Sequence, residues 1–176
     1  AGNLSVVHAS QLPYDYTIRI LPGDKGTLND VGLSVSGGSV TDSSGSVVTI
    51  TGVESTCTVT IQPKDFVTVS DDKYFAKGFR EAGKDNSEYT TSYNVFEQDT
   101  DLVIAYGMSY GMVSYTINYI DLDGNKVAES AMHYANLNDV VLQPFPYVEG
   151  YEPAVAGTVG RITITGEGNV FNFPYR

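Results

Sequence analysis

The stretch that most constrains this chain runs from Val113 to Val127, "VSYTINYIDLDGNKV". Tyr115, Ile117 and Tyr119 alternate with Thr116 and Asn118. That period of two belongs to a strand with one face in a core and one in water. Asp123-Gly124 follows at once. It is a strong hairpin signal, because both central turn residues are expected to accept positive φ. After the turn the chain climbs back through Val127 to Tyr134 as a second strand.

The same stretch carries a resemblance. "YTINYIDLDGNKV", then "YVEGYEP", then "NVFNFPY" resembles the MucBP (mucin-binding-protein) domain of Gram-positive surface proteins. Those domains open on a Tyr-rich strand with a D-x-DG turn, carry a Gly-Tyr pair mid-domain and close on a V-x-F-x-Y strand. The likeness spans Met112 to Arg176. It implies a β-grasp-like fold and a cell-surface location, and little about the ligand, since many such modules are repeats with no assigned partner. An adhesin segment that binds host mucin or another host glycoprotein or glycan is the expectation. Residues 13–107 resemble, more distantly, β-grasp repeats of bacterial surface proteins.

The fold class expected is mainly β: two tandem β-grasp-like domains with little helix. Val, Ile, Thr and Tyr outweigh Leu, and 18 Gly with many Ser and Thr fit short strands and frequent turns. Residues 1–12 lack a period and read as an N-terminal arm. Residues 13–107 form the first domain, 108–111 a linker and 112–176 the second. Each half opens and closes on a Tyr-bearing strand: "YTIRI" at Tyr16 to Ile20 answers "YTINY" at Tyr115 to Tyr119. In a β-grasp the first and last strands can pair centrally.

Further elements are expected as follows. The first strand covers Tyr14 to Ile20. Leu33 to Val53 holds two short strands around a mobile loop at Asp42 to Gly45. Thr56 to Ile61 and Phe66 to Ser70 are strands, and Tyr74 to Lys84 is strand and turn. Tyr89 to Phe96 and Asp101 to Tyr106 make a closing pair. Asn136 to Asp139 caps one helical turn. Arg161 to Thr165 and Asn169 to Tyr175 form a last hairpin over Gly166-Glu167-Gly168. At the joint, Met108 and Tyr110 are expected to pack between the halves, with Gly107 and Gly111 supplying the bend.

Charge narrows the partners. Net charge is −11, with 21 Asp and Glu. No basic stripe is present to displace counterions, so nucleic acid is excluded, and an anionic membrane is disfavoured. The longest apolar run is too short to span a bilayer. A surface protein needs an export signal and an anchor, and both are expected outside this sequence. The chain reads as a mature or trimmed ectodomain, and as a monomer.

No catalytic constellation survives inspection, and neither a cofactor nor a metal is expected. Asp121, Asp123 and Asn125 imitate the start of an EF-hand loop. That loop needs Gly at position six and Glu at position twelve, where this chain has Lys126 and Met132. The single cysteine, Cys57, permits no disulfide. "STCT" at Ser55 to Thr58 is faintly similar to the sortase strand, but no Arg follows within reach before Arg80. His8 and His133 stand alone. The Lys–Asn isopeptide pattern of surface domains fits Asn172 on the last strand, but the first strands carry Arg19 and Asn118 in place of Lys. The candidate ligand residues are Tyr119, Tyr134, Tyr147 and Tyr151. Tyrosine stacks on sugar faces and offers a hydroxyl at low entropic cost. Any one of these residues reads more readily as a member of a cross-strand core pair than as a ligand platform. The acidic balance repels sialylated or sulfated glycans, which leaves neutral ones. A structural spacer with no ligand of its own is the alternative.

Overall fold

Alternating residues form strands here, and almost nothing forms helix. The computed structural model describes residues 15–94 and 96–176. The expected arm at 1–12, with His8, and the start of the first strand at Tyr14 lie outside them. The chain is mainly β with little helix.

The first half is organised by β1 (Tyr16–Leu21) and β11 (Thr100–Met108). They run parallel, from Ile18 opposite Thr100 to Leu21 opposite Val103. On the other side β1 pairs with β5 (Val48–Val53), which pairs with β4 (Ser39–Ser43). β11 also pairs with β8 (Tyr74–Glu81), giving the order β4-β5-β1-β11-β8. Over this sheet lie β3 (Leu33–Ser36), β6 (Thr58–Ile61) and β10 (Ser92–Tyr93), in the order β10-β6-β3. A small ribbon joins β2 (Gly26–Leu28) to β7 (Val67–Val69). Between the layers Ile18, Ile20, Ile50, Val59, Phe66, Phe79 and Leu102 are buried in one mainly aliphatic core.

The second half repeats the frame. β12 (Met112–Ile120) forms a hairpin with β13 (Lys126–Asn136) and runs parallel to β16 (Asn169–Pro174). Opening and closing strands are thus parallel neighbours in both halves, central in the first sheet and with β16 at the edge in the second. A second sheet has the order β15-β14-β9, from β15 (Val159–Thr163), β14 (Val140–Pro144) and β9 (Glu88–Tyr89). This core is aromatic: Tyr115, Tyr119, Phe145, Phe173 and Tyr175. Phe145 and Phe173 stack at 4.5 Å between ring centroids.

Several expectations are corrected. Leu33 to Val53 holds three strands, and the expected loop is a turn in which Ser44 Oγ accepts the Val47 N–H at 3.2 Å. Pro63 starts a one-turn helix, α1 (Pro63–Phe66), before β7, because proline is pre-set for a first helical position. The closing pair does not form: β9 joins β14, and β10 joins β6. The last hairpin does not form either, because β15 takes β14 and β16 takes β12. Asn136 to Asp139 is a turn with Asn138 at φ 69°, not a helix. In the Asp123-Gly124 turn only Gly124 has positive φ, 87°. The rest of that turn is held by the Asp121 carboxylate, whose Oδ1 accepts the N–H of Asp123 at 2.9 Å and of Asn125 at 2.8 Å.

Candidate functional site

The two halves meet through polar groups, and a groove opens beside that contact. β9 leaves the first half to pair in parallel with β14, placing Glu88 opposite Val140 and Tyr89 opposite Val141. Tyr89 and Ala105 therefore belong to the second, aromatic core. On β8, Ala76 and Gly78 each oppose a residue of β11 while Lys77 between them has no partner. Such a bulge re-aims a side chain. Lys77 is buried, and its ammonium donates to Asp139 Oδ2 at 2.7 Å. The same oxygen accepts the Asn136 N–H at 2.9 Å and the Tyr89 hydroxyl at 3.2 Å. Lys77 Nζ also lies 4.9 Å from the Tyr89 ring centroid. Removing two charges from water is costly, so such a pair persists only with this many partners.

Two further contacts extend the joint. Gln143 Nε2 donates to Thr91 Oγ1 at 2.9 Å and to the Tyr115 hydroxyl at 3.3 Å. Burial pushes the Tyr89 and Tyr115 hydroxyls far above their ordinary range, so both stay neutral. The Asn136 carboxamide accepts the Met108 N–H and donates to the Met108 carbonyl, both at 3.1 Å. Asn86 treats Tyr106 in the same way, at 3.1 and 2.6 Å. β1 stops opposite Val103, so these two carboxamides satisfy alternate residues of β11 as a neighbouring strand would.

The expected Met108–Tyr110 contact is corrected. β11 passes into β12 through a 3-10 turn at Ser109–Gly111, anchored by the Ser109 N–H to the Lys73 carbonyl at 2.9 Å. Tyr110 sits at its tip, 87% exposed. Neither Gly107 nor Gly111 is at positive φ. Gly107 is needed for space: a Cβ there would lie 2.2 Å from Asn136 Oδ1 and 2.7 Å from the Phe75 ring.

The groove, about 510 Å³, lies between β8 and α1 of the first half and β12–β13 of the second. Tyr74, Phe75, Met112, Met132, His133 and Tyr134 give its apolar and aromatic walls, and Lys64 and Asp65 its polar rim. Met132 and Tyr134 are exposed. His133 sits between them, its ring 5.3 Å from that of Tyr115. Burial lowers the His133 imidazole to about 4, so it is neutral at ordinary pH.

The four sequence-selected tyrosines separate. Tyr119 is 9% exposed, edge-on to Phe173 at 5.9 Å and Tyr175 at 6.3 Å, and presents no face to a ligand. Tyr134, 37% exposed, lines the groove. Tyr147 is 86% exposed, and Tyr151 is 42% exposed. Both lie on one loop, where the Tyr151 N–H donates to the Val148 carbonyl at 3.0 Å. The Tyr175 hydroxyl ties that loop to the core through the Pro146 carbonyl at 2.8 Å. Sequence reasoning missed Lys77, Asp139 and Gln143, which read as surface polar groups. The available signal was Gly78, since an isolated glycine in a strand marks a bulge or a close approach. A Cβ on it would lie 2.4 Å from the Thr90 carbonyl.

Among the described residues no cluster of three His, Cys, Asp or Glu could hold a metal ion. Cys57 is buried, and burial raises its thiol above the usual range. Asn118 and Asn172, opposed on β12 and β16, bond each other at 3.2 Å. Among the described residues no helix is long and apolar enough to cross a membrane.

No protein-family model matches the sequence, and no curated protein matches it. Two solved structures align along most of the chain. One, described as the crystal structure of Mub-RV, is 10% identical with a TM-score of 0.28, covering 92% of this chain and 97% of its own. The other, a type 2 repeat of the mucus binding protein MUB from Lactobacillus reuteri, is 14% identical with a TM-score of 0.28, covering 93% and 98%.

Proposed function

We propose that this chain is a non-catalytic, extracellular segment of a bacterial surface protein that holds a host glycoprotein or neutral glycan in the groove between its halves. Residues 13–107 and 112–176 are proposed as its two domains. The observation that carries the reading is the groove itself. Its walls come from both halves, Tyr74 and Phe75 from the first and Tyr134 from the second, and the buried Lys77–Asp139 pair ties the halves together beside it. A site pre-formed at a junction, apolar with a few polar groups, is what a binding module needs. The net charge of −11 selects against sialylated and sulfated ligands. Tyr147 and Tyr151 are available as a second stacking surface.

A glycan array with a mucin overlay at physiological salt tests this. The expected result is binding to neutral glycans or desialylated mucin that falls at least tenfold in Tyr134→Ala. Silence on every glycan and mucin overturns it. The second reading, a spacer with no ligand, is favoured by the joint, where paired strands and a buried ion pair oppose hinge motion. Small-angle scattering that fits one rigid particle, together with a silent array, selects the spacer.

A further inference from the structure

We infer that each half is a tension-bearing clamp, so that the chain transmits mechanical load along its length. Tension applied to the chain ends enters each half through its opening strand and leaves through its closing strand. In both halves those two strands are parallel neighbours: β1 beside β11, and β12 beside β16. Pulling the start of one strand against the end of its parallel neighbour slides the two lengthwise. All ladder bonds between them are then strained together and must fail together. An antiparallel hairpin pulled at its open end parts one bond at a time instead.

Side-chain bonds reinforce the first sliding plane, and main-chain bonds extend the second. Arg19 and Asp101 stand opposite each other in the first clamp, joined by two bonds of 2.8 and 2.6 Å. Asp99 Oδ1 accepts the Thr17 N–H at 2.9 Å just before them. In the second clamp six residue pairs align from Tyr115–Asn169 to Ile120–Pro174. Beyond it the Tyr175 N–H donates to the Ile120 carbonyl at 2.7 Å, and Glu152 and Arg176 exchange main-chain bonds at 2.9 Å each. The short turn Ser109–Gly111 passes load from β11 into β12 with little slack. Neither a ligand nor the groove enters this inference, so a silent glycan array leaves it standing.

Single-molecule force spectroscopy on the full chain tests it. End-to-end pulling is compared, at one loading rate, with pulling through cysteines placed at the exposed Tyr110 and Leu137 in a Cys57→Ala background. The second geometry peels β13 from β12 at its open end, where Met112 opposes Asn136. Forced unfolding reads the unfolding barrier along the pulled direction. End-to-end unfolding is expected at no less than about twice the peeling force. Length gains of roughly 30 nm for the first half and roughly 20 nm for the second follow from chain reach. Asp101→Ser is expected to lower only the force of the longer step. An end-to-end force equal to or below the peeling force overturns the inference, as does an Asp101→Ser variant that weakens both steps equally.

Discussion

The two halves share a frame but fill it differently. In the first, the parallel pair β1–β11 sits mid-way in a five-stranded sheet over a mainly aliphatic core. In the second, β12–β16 has one further neighbour, and the core is built from Tyr and Phe rings. The first half closes its core with its own residues. The second takes Tyr89 and Ala105 from the first, and completes a sheet with β9. A small sheet can bury bulky rings only if something covers their outer edge. Here the cover is a strand of the neighbouring half, and the dependence runs one way.

The largest expected effect tests that dependence. Asp139→Ala leaves the Lys77 ammonium buried and alone, at a cost of about 3–5 kcal/mol. Urea melts followed by amide hydrogen exchange should show protection lost first around Tyr115 and Phe173, with Ile18 and Ile50 protected longer. Lys77→Met with Asp139→Leu should recover most of the loss, since a buried pair replaced by apolar groups is often near neutral. Equal loss in both halves would refute the one-way dependence.

Gly107→Ala comes next. The added methyl meets Asn136 Oδ1 at 2.2 Å, so the carboxamide that closes the edge of β11 must move. A cost of about 1–3 kcal/mol is expected for such overpacking. NMR should place the shift changes at Met108 and Asn136 rather than within the aliphatic core.

A pH titration sharpens the contrast. His133 is held neutral in the fold, at about 4, against 6.5 for the free side chain. The unfolded chain therefore binds the proton more readily. Its contribution is fully present above about pH 6.5 and is lost as pH falls through 6.5 towards 4, amounting to about 1–3 kcal/mol. His133→Phe should remove that slope, and the difference between the two proteins cancels the carboxylates that titrate below. An unchanged slope would mean that His133 is solvated in the fold.

The smallest effect is a control. Tyr147→Ser, at an 86% exposed loop position, should change stability by less than about 0.5 kcal/mol. A larger loss would mean that the loop packs as part of the aromatic core.

Much of this was legible in the sequence because it is local. The alternation in "YTINY" fixed which face of β12 is buried, and the Asp-Gly turn placed its partner β13. The internal repeat "YTIRI" located the matching strand in the first half. Pairings between distant segments were not legible. β15 and β16 look like a hairpin because they are adjacent and separated by Gly166 and Gly168, yet each finds a better apolar partner elsewhere. Tyr119 and Tyr134 look alike in sequence, and strand phase puts one in the core and the other on the groove. Lys77 and Asp139 carry no local mark, because what makes them structural is a bulge on one strand and a turn 62 residues away.

The strand that crosses between the halves also sets an order of events during synthesis. A chain made from its N-terminus can close the first clamp once β11 has emerged. Segment 88–91 must then wait, about fifty residues short of β14, with the Tyr89 ring uncovered. The last half to be made finds its docking edge already in place, so the first half serves as a template for the second. Released early, the chain would expose that edge to other nascent copies. Rapid delivery of β12 to β14 therefore shortens the time for which that edge stands open.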